Sequence, residues 1–176
     1  MTLFKEYLVE HGRPVNLESL AADELSLREY ATAHQHLSLI CHDILLAYND
    51  GILLVKRKVN PAADDSYWCF GGRVLRGKPA EESLCWRVKR ESNLDVDGIA
   101  YLGCARTFFR TDPFDHGKGT DTINLMYFGK GKGELRLDDF HTAPLIVRPP
   151  LASDLQEQLH PYMRDMIDLC LPLLKK

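Results

Sequence analysis

From Trp68 to Leu94 the chain reads WCFGGRVLRGKPAEESLCWRVKRESNL, a glycine pair feeding a short loop and then a run of helical periodicity. At about 100° per residue, such a helix brings Ala80, Leu84, Arg87, Val88 and Glu91 within a sector of roughly 100°. A carboxylate therefore sits on an apolar stripe. The plain explanation is an ion pair with Arg87, four residues earlier on the same face. An acid buried beside a glycine-rich loop also supplies the oxygen donors that a divalent cation needs, and the glycine pair favours that reading.

The rest of the chain reads as scaffold for this stretch. Its 176 residues suit a single core, and 45% hydrophobic with 27% charged residues is ordinary globular composition. A net charge of -3 with no basic stripe argues against a nucleic-acid surface. Five scattered cysteines without a C-x-x-C pair argue against a zinc site or a disulfide framework and fit a reducing, cytoplasmic setting. The start, MTLFKEYLVEHG, has neither a signal-peptide pattern nor a span of membrane length, so no membrane partner is expected.

Residues 3–10 can form one or two helical turns, ended by Gly12, Arg13 and Pro14. A second helical segment covers Leu17 to His34, with a capping box at Ser26-Leu27-Arg28-Glu29. Together they make an N-terminal helical extension, residues 1–36, before a single domain over 37–176. His34, His36 and His42 lack a suitably spaced acid or thiol, so they read as packed or solvated histidines.

LSLICHDILLAY, the turn Asn49-Asp50-Gly51, and ILLVKRK read as a β-hairpin. Asp43 lies inside its first strand, either facing solvent or functional, and Arg57 ends the second. Asp64 and Asp65 read as solvated loop acids. Further strands are expected over Ile99–Arg110 and Thr122–Phe128. Between them TDPFDHGKGTD is either a substrate-facing flap or a plain surface loop, with His116, Lys118 and Asp121 as weak candidates. A turn at Gly131–Gly133, a short strand around Leu135 and a polar loop ending at His141 follow, where a histidine could serve as a base or be merely exposed. Ser153-Asp154-Leu155-Gln156 resembles another capping box. It opens a helix to Leu174 that Pro161 must kink or break. That helix's apolar face, with Leu155, Leu159, Met163, Met166, Ile167 and Cys170, packs on the sheet or, alternatively, makes a homodimer contact.

The central stretch and its flanking strands resemble the Nudix hydrolase superfamily, whose signature is Gly, five residues, Glu, seven residues, Arg-Glu, an aliphatic, any residue, Glu-Glu, any residue, Gly and an aliphatic. This chain keeps Gly72, Val88, Glu91 and Leu94, and has Lys78, Trp86, Arg87, Arg90 and Asn93 at the remaining positions. Within the superfamily it is most similar to the GDP-mannose mannosyl hydrolases, which themselves lack the glutamates falling at Arg87 and Arg90. The matching elements are Lys56-Arg57 with Pro61-Ala62, Tyr67-Trp68, Gly71-Gly72-Arg73-Val74 and Gly119-Thr120-Asp121.

The resemblance implies an α/β fold, an α/β/α sandwich around a mixed sheet. It also implies hydrolysis of a nucleoside diphosphate derivative, a nucleotide sugar of the GDP-mannose kind. Mg²⁺ or Mn²⁺ would be held by the Gly72 carbonyl and Glu91. Asp43, Arg57 and Arg73 would face the substrate, with Arg57 also acting on the leaving nucleotide, and His141 would be the general base. Phe140 stands where the family places a glutamine metal ligand, and a glutamine's oxygen is what a phenylalanine lacks. The alternative is a Nudix-fold binding or protein-interaction module that has lost hydrolysis, with Lys78, Arg87 and Arg90 taking over phosphate charge.

Overall fold

At the middle of the molecule lies a ten-residue strand, β3 (Leu39–Tyr48), buried without interruption from Cys41 to Leu46. Such a run is what a strand covered on both faces requires. The structure, a computed structural model, describes residues 4–10, 12–22, 25–58 and 66–174. Asp64, Asp65, Pro61 and Ala62 lie outside the described residues.

Along one edge, β3 pairs in parallel with β7 (Thr120–Lys132), which in turn pairs antiparallel with β6 (Asp95–Phe109). The other edge is shared. β4 (Gly51–Arg57) takes its C-terminal part at Leu46–Tyr48, and β5 (Phe70–Arg73) takes Cys41–Ile44. β8 (His141–Val147) completes the sheet beside β4. The β3–β4 turn is the two-residue kind the sequence requires, with Asn49 and Asp50 both at positive φ (47° and 62°).

Alternation sorts the core into two layers. Ile44, Leu46, Leu53, Val55 and Tyr127 face α2 (Ala80–Ser92) through Leu84 and Val88. Leu45, Ile52, Leu54, Met126 and Phe128 face α4 (Pro161–Leu174) through Met163, Met166 and Ile167. The result is the α/β/α sandwich on a mixed sheet, and the apolar face of α4 is buried inside the chain. Among the described residues, no helix is long and apolar enough to cross a membrane.

Several local expectations are corrected. Residues 4–8 are not helical. Val9–Glu10 (β1) pairs instead with Arg13–Pro14 (β2), since so short a segment cannot offset helix nucleation and Gly12 turns it back. The Leu17–His34 helix is divided into a 3₁₀ turn, Leu17–Leu20, and α1 (Leu27–His36). The capping box at Ser26 and Glu29 forms and sets the start of α1.

No strand forms around Leu135, because the amides there satisfy the open C-terminal end of α2: Arg136 N–H donates to the Ser92 carbonyl and Asp138 N–H to that of Glu91. The strand expected to end at Phe128 runs on through Gly131 to Lys132, so the turn falls at Gly133. The Ser153 capping box does not form. Ala152 takes the cap position of α3 (Ser153–Gln158), placing Ser153 inside the helix. The chain does break before Pro161, where α4 begins.

Candidate active site

The shared edge of β3 sets the site. Asp43 stands directly across from Gly71, and His42 across from Gly72. A Cβ at Gly71 would overlap the His42 carbonyl and the Asp43 side chain, so only glycine permits this approach. Asp43 is buried and not solvent-facing; the Tyr162 hydroxyl of α4 donates to its Oδ2 at 2.8 Å. Burial pushes the Asp43 carboxyl up to about 6, against the opposing pull of Tyr162 and Arg57.

Asp43, Arg57, Gly72 and Arg73, four of the residues singled out in the sequence, line one cavity of about 140 Å³. Its walls include groups that sequence reasoning missed. Thr122 and Asn124 of β7 and Thr107 of β6 form a linked polar row, with Thr107 Oγ1 and Thr122 Oγ1 2.7 Å apart and Asn124 donating to Thr107 at 3.0 Å. The alternation Thr120, Thr122, Asn124 was the available signal.

Trp68 and Phe109 pack edge to face in the wall, with ring centroids 5.8 Å apart. Helix α1 adds Tyr30 and His34: the Arg73 guanidinium lies 4.5 Å from the Tyr30 ring centroid, and His34 Nδ1 is 2.8 Å from His116 Nε2 of the 111–119 loop. The loop thus meets α1 at the cavity. Of the other loop candidates, Lys118 is exposed. Asp121 is held down to about 2 by its hydrogen bonds from Arg106 and Ser38.

His141 opens β8 and is 5% exposed, not an exposed loop residue. It is paired in register with Arg57. Asp138 Oδ1 accepts the backbone N–H of both Phe140 and His141 and lies 2.7 Å from His141 Nδ1. An ionised carboxylate only accepts, so the proton sits on Nδ1 and the Nε2 lone pair is left open. Burial lowers the His141 pKa while Asp138 pulls it up. At neutral pH the ring is an uncharged acceptor.

Glu91 is 7% exposed, as its place on the apolar stripe required. Its Oε2 accepts the Gly71 N–H at 3.3 Å, and its Oε1 lies 3.8 Å from Arg87 Nε, the pairing offered as its plain explanation. Burial raises Glu91 to about 7, with Arg87 and Arg57 opposing. Gly72 shares the same corner, since a Cβ built there would lie 3.3 Å from Arg87 Nε.

These residues do not fit a bound Mg²⁺ or Mn²⁺. The space between Gly72 and Glu91 is bordered by a guanidinium, and Phe140 is 62% exposed with a side chain that offers no ligand atom. Among the described residues no cluster of three or more His, Cys, Asp or Glu is placed to hold a metal ion. His34 and His42 are packed, His34 with His116 and buried His42 through Nε2 with Ser83 Oγ at 2.8 Å, while His36 is exposed.

No family model and no curated protein matches the sequence. Solved structures do match the fold. A MutT Nudix hydrolase from Burkholderia pseudomallei superposes with a TM-score of 0.53 at 21% identity, over 71% of this chain and 100% of that one. The MutT protein from Methanosarcina mazei gives 0.58 at 17% identity, over 79% and 96%. The Nudix domain of Shewanella oneidensis NrtR, solved with ADP ribose, gives 0.58 at 13% identity, over 85% and 99%. The fold is that of the Nudix hydrolases.

Proposed function

We propose that this chain is a hydrolase of nucleoside diphosphate derivatives, with a nucleotide sugar of the GDP-mannose type as substrate and His141 as general base. The observation that carries the reading is the Asp138–His141 pair. A buried, neutral imidazole is fixed in the tautomer that leaves Nε2 free to accept a proton, one strand away from Arg57. Binding of an adenosine diphosphate sugar by the NrtR domain lends support from the same fold.

In this reading the nucleoside enters the cavity under Tyr30 and Trp68, and its diphosphate lies toward Gly72 and Arg57. His141 takes a proton from water, the water oxygen bonds to the anomeric carbon, and the carbon–oxygen bond to the diphosphate breaks with its electron pair leaving on the nucleotide. Arg57 offers a planar set of donors to the departing phosphate oxygens. A positioned base of this kind contributes ~10²–10⁴ in rate.

The test is release of free sugar from a panel of nucleotide sugars. Turnover that falls by at least about 100-fold in His141→Ala supports the reading. Absence of turnover, or an unaffected variant, rejects it. A second reading, nucleotide binding without turnover, is favoured by the signature positions this chain has lost, with Lys78, Trp86, Arg87, Arg90 and Asn93 in their place. Binding without turnover would select it.

A further inference from the structure

We propose that Arg87 substitutes for the divalent cation, so that the diphosphate of the ligand is held on guanidinium groups and binding needs no metal. This rests on the reading of the ligand as a nucleoside diphosphate derivative.

The argument begins with helix spacing. Arg87 precedes Glu91 by one turn, so both reach the same corner under the glycine pair. A Cβ on Gly72 would lie 3.3 Å from Arg87 Nε and 3.5 Å from its Cζ; the absence of that Cβ is what lets the guanidinium approach the backbone. Arg87 Nε is buried without a hydrogen-bond partner, 3.8 Å from Glu91 Oε1. The other carboxylate oxygen is engaged by the Gly71 amide. Glu91 is thereby the counter-ion of an arginine.

The net charge of the corner points the same way. Arg87 and Arg57 both act on the Glu91 carboxylate, with Asp138 as the nearby like charge, so the two guanidinium groups balance the acids and a dication finds no net negative charge to hold it. Arg87 has its guanidinium 5.3 Å from the Trp86 ring centroid and keeps 23% of its side chain exposed, so a ligand can reach part of it. Its charge reaches Cys41 and Tyr30 in the cavity wall and His141 beyond it, and the charge of Arg57 reaches the same three residues. Arg57 lines the cavity and the Arg87 guanidinium lies against Gly72 at its border, so both stand near the place assigned to the diphosphate. Their planar donors match phosphate oxygens in pairs, which makes them chemically sufficient for the task.

The experiment uses the full chain in two measurements. In calorimetric titrations with GDP-mannose, ADP-ribose and inorganic pyrophosphate, affinity is expected to agree within about twofold between EDTA and Mg²⁺. Arg87→Glu is expected to weaken binding in EDTA by at least tenfold and to recover it with Mg²⁺. In titrations of the ligand-free chain with Mn²⁺ followed by electron paramagnetic resonance, the parent is expected to leave Mn²⁺ free while Arg87→Glu retains it.

Arg87→Met, which carries no new charge, separates loss of the guanidinium from misfolding of the glutamate variant. It should also weaken EDTA binding at least tenfold. Binding by the parent only with Mg²⁺, tight Mn²⁺ binding by the parent, or unchanged affinity in Arg87→Met overturns this inference alone. No binding of any probe under either condition overturns the nucleotide reading and this inference with it. Binding in EDTA without turnover leaves the inference standing and rejects the hydrolase.

Discussion

Asp138 Oδ1 lies 2.7 Å from His141 Nδ1 and accepts the backbone N–H of the same histidine, so one carboxylate fixes both the ring and the chain that carries it. Because Asp138 raises the His141 pKa while burial lowers it, Asp138→Asn should move the acidic limb of the pH–rate profile to lower pH. The rate at neutral pH should fall by about tenfold or more as the tautomer is released. A profile that keeps both limb and plateau would remove Asp138 from its positioning role.

Asp43 sets a second pH dependence. Its folded pKa of about 6 lies above the ordinary 3.8, so the protonated form is favoured in the fold. Its contribution is fully present below pH 4 and is lost as pH rises through about 6. The parent should lose roughly 2 kcal/mol relative to Asp43→Asn between pH 4 and 7. His42 works in the opposite sense: burial lowers it to about 4, so its contribution is present above 6.5 and lost on acidification. The difference between parent and variant denaturation curves isolates Asp43. A difference that does not change with pH contradicts the assignment.

Gly71 tests the packing of the site. The Cβ of Gly71→Ala would have to displace the His42 carbonyl and Asp43 together, and backbone cannot yield as a flexible side chain can. We expect a loss of about 2–4 kcal/mol in urea denaturation. A loss under 1 kcal/mol would mean the strand edge adapts.

The contribution of α1 to the cavity predicts a binding defect. Tyr30 carries Arg73 on its face and touches Phe114, with ring centroids 5.1 Å apart, so Tyr30→Ala removes a wall and frees an arginine. KM should rise about tenfold with kcat within twofold, in line with the ~1–2 kcal/mol of such stacking contacts. An unchanged KM would place the ligand elsewhere.

The sandwich was legible because its signals are local. Uninterrupted burial of β3 follows from an apolar run, the hairpin from Asn49-Asp50-Gly51, and α2 from the stripe that also buries Glu91. Pro161 broke the C-terminal helix as its chemistry demands. Where neighbours distant in sequence compete for backbone groups, the reading failed. The segment around Leu135 looked like a strand, but the carbonyls of Glu91 and Ser92 claimed its amides.

The same holds at the site. Asp43, Arg57, Gly72 and Arg73 meet in one cavity, but the pairing of His34 with His116 joins segments 82 residues apart that no spacing rule connects. Asp138 escaped notice because its role depends on the turn that returns it to His141. Arg87 reads from the sequence as an ion-pair partner of Glu91 or, in the binding-module alternative, as a carrier of phosphate charge. What the sequence could not convey is that its guanidinium reaches the backbone of Gly72.

The most direct measurement of the central claim is turnover of a nucleotide sugar in ¹⁸O-labelled water, with both products weighed by mass spectrometry. If His141 directs water at the anomeric carbon, the label appears in the free sugar and the nucleoside diphosphate carries none. Label in the phosphate products, or no release of sugar from any nucleotide sugar tested, would contradict it.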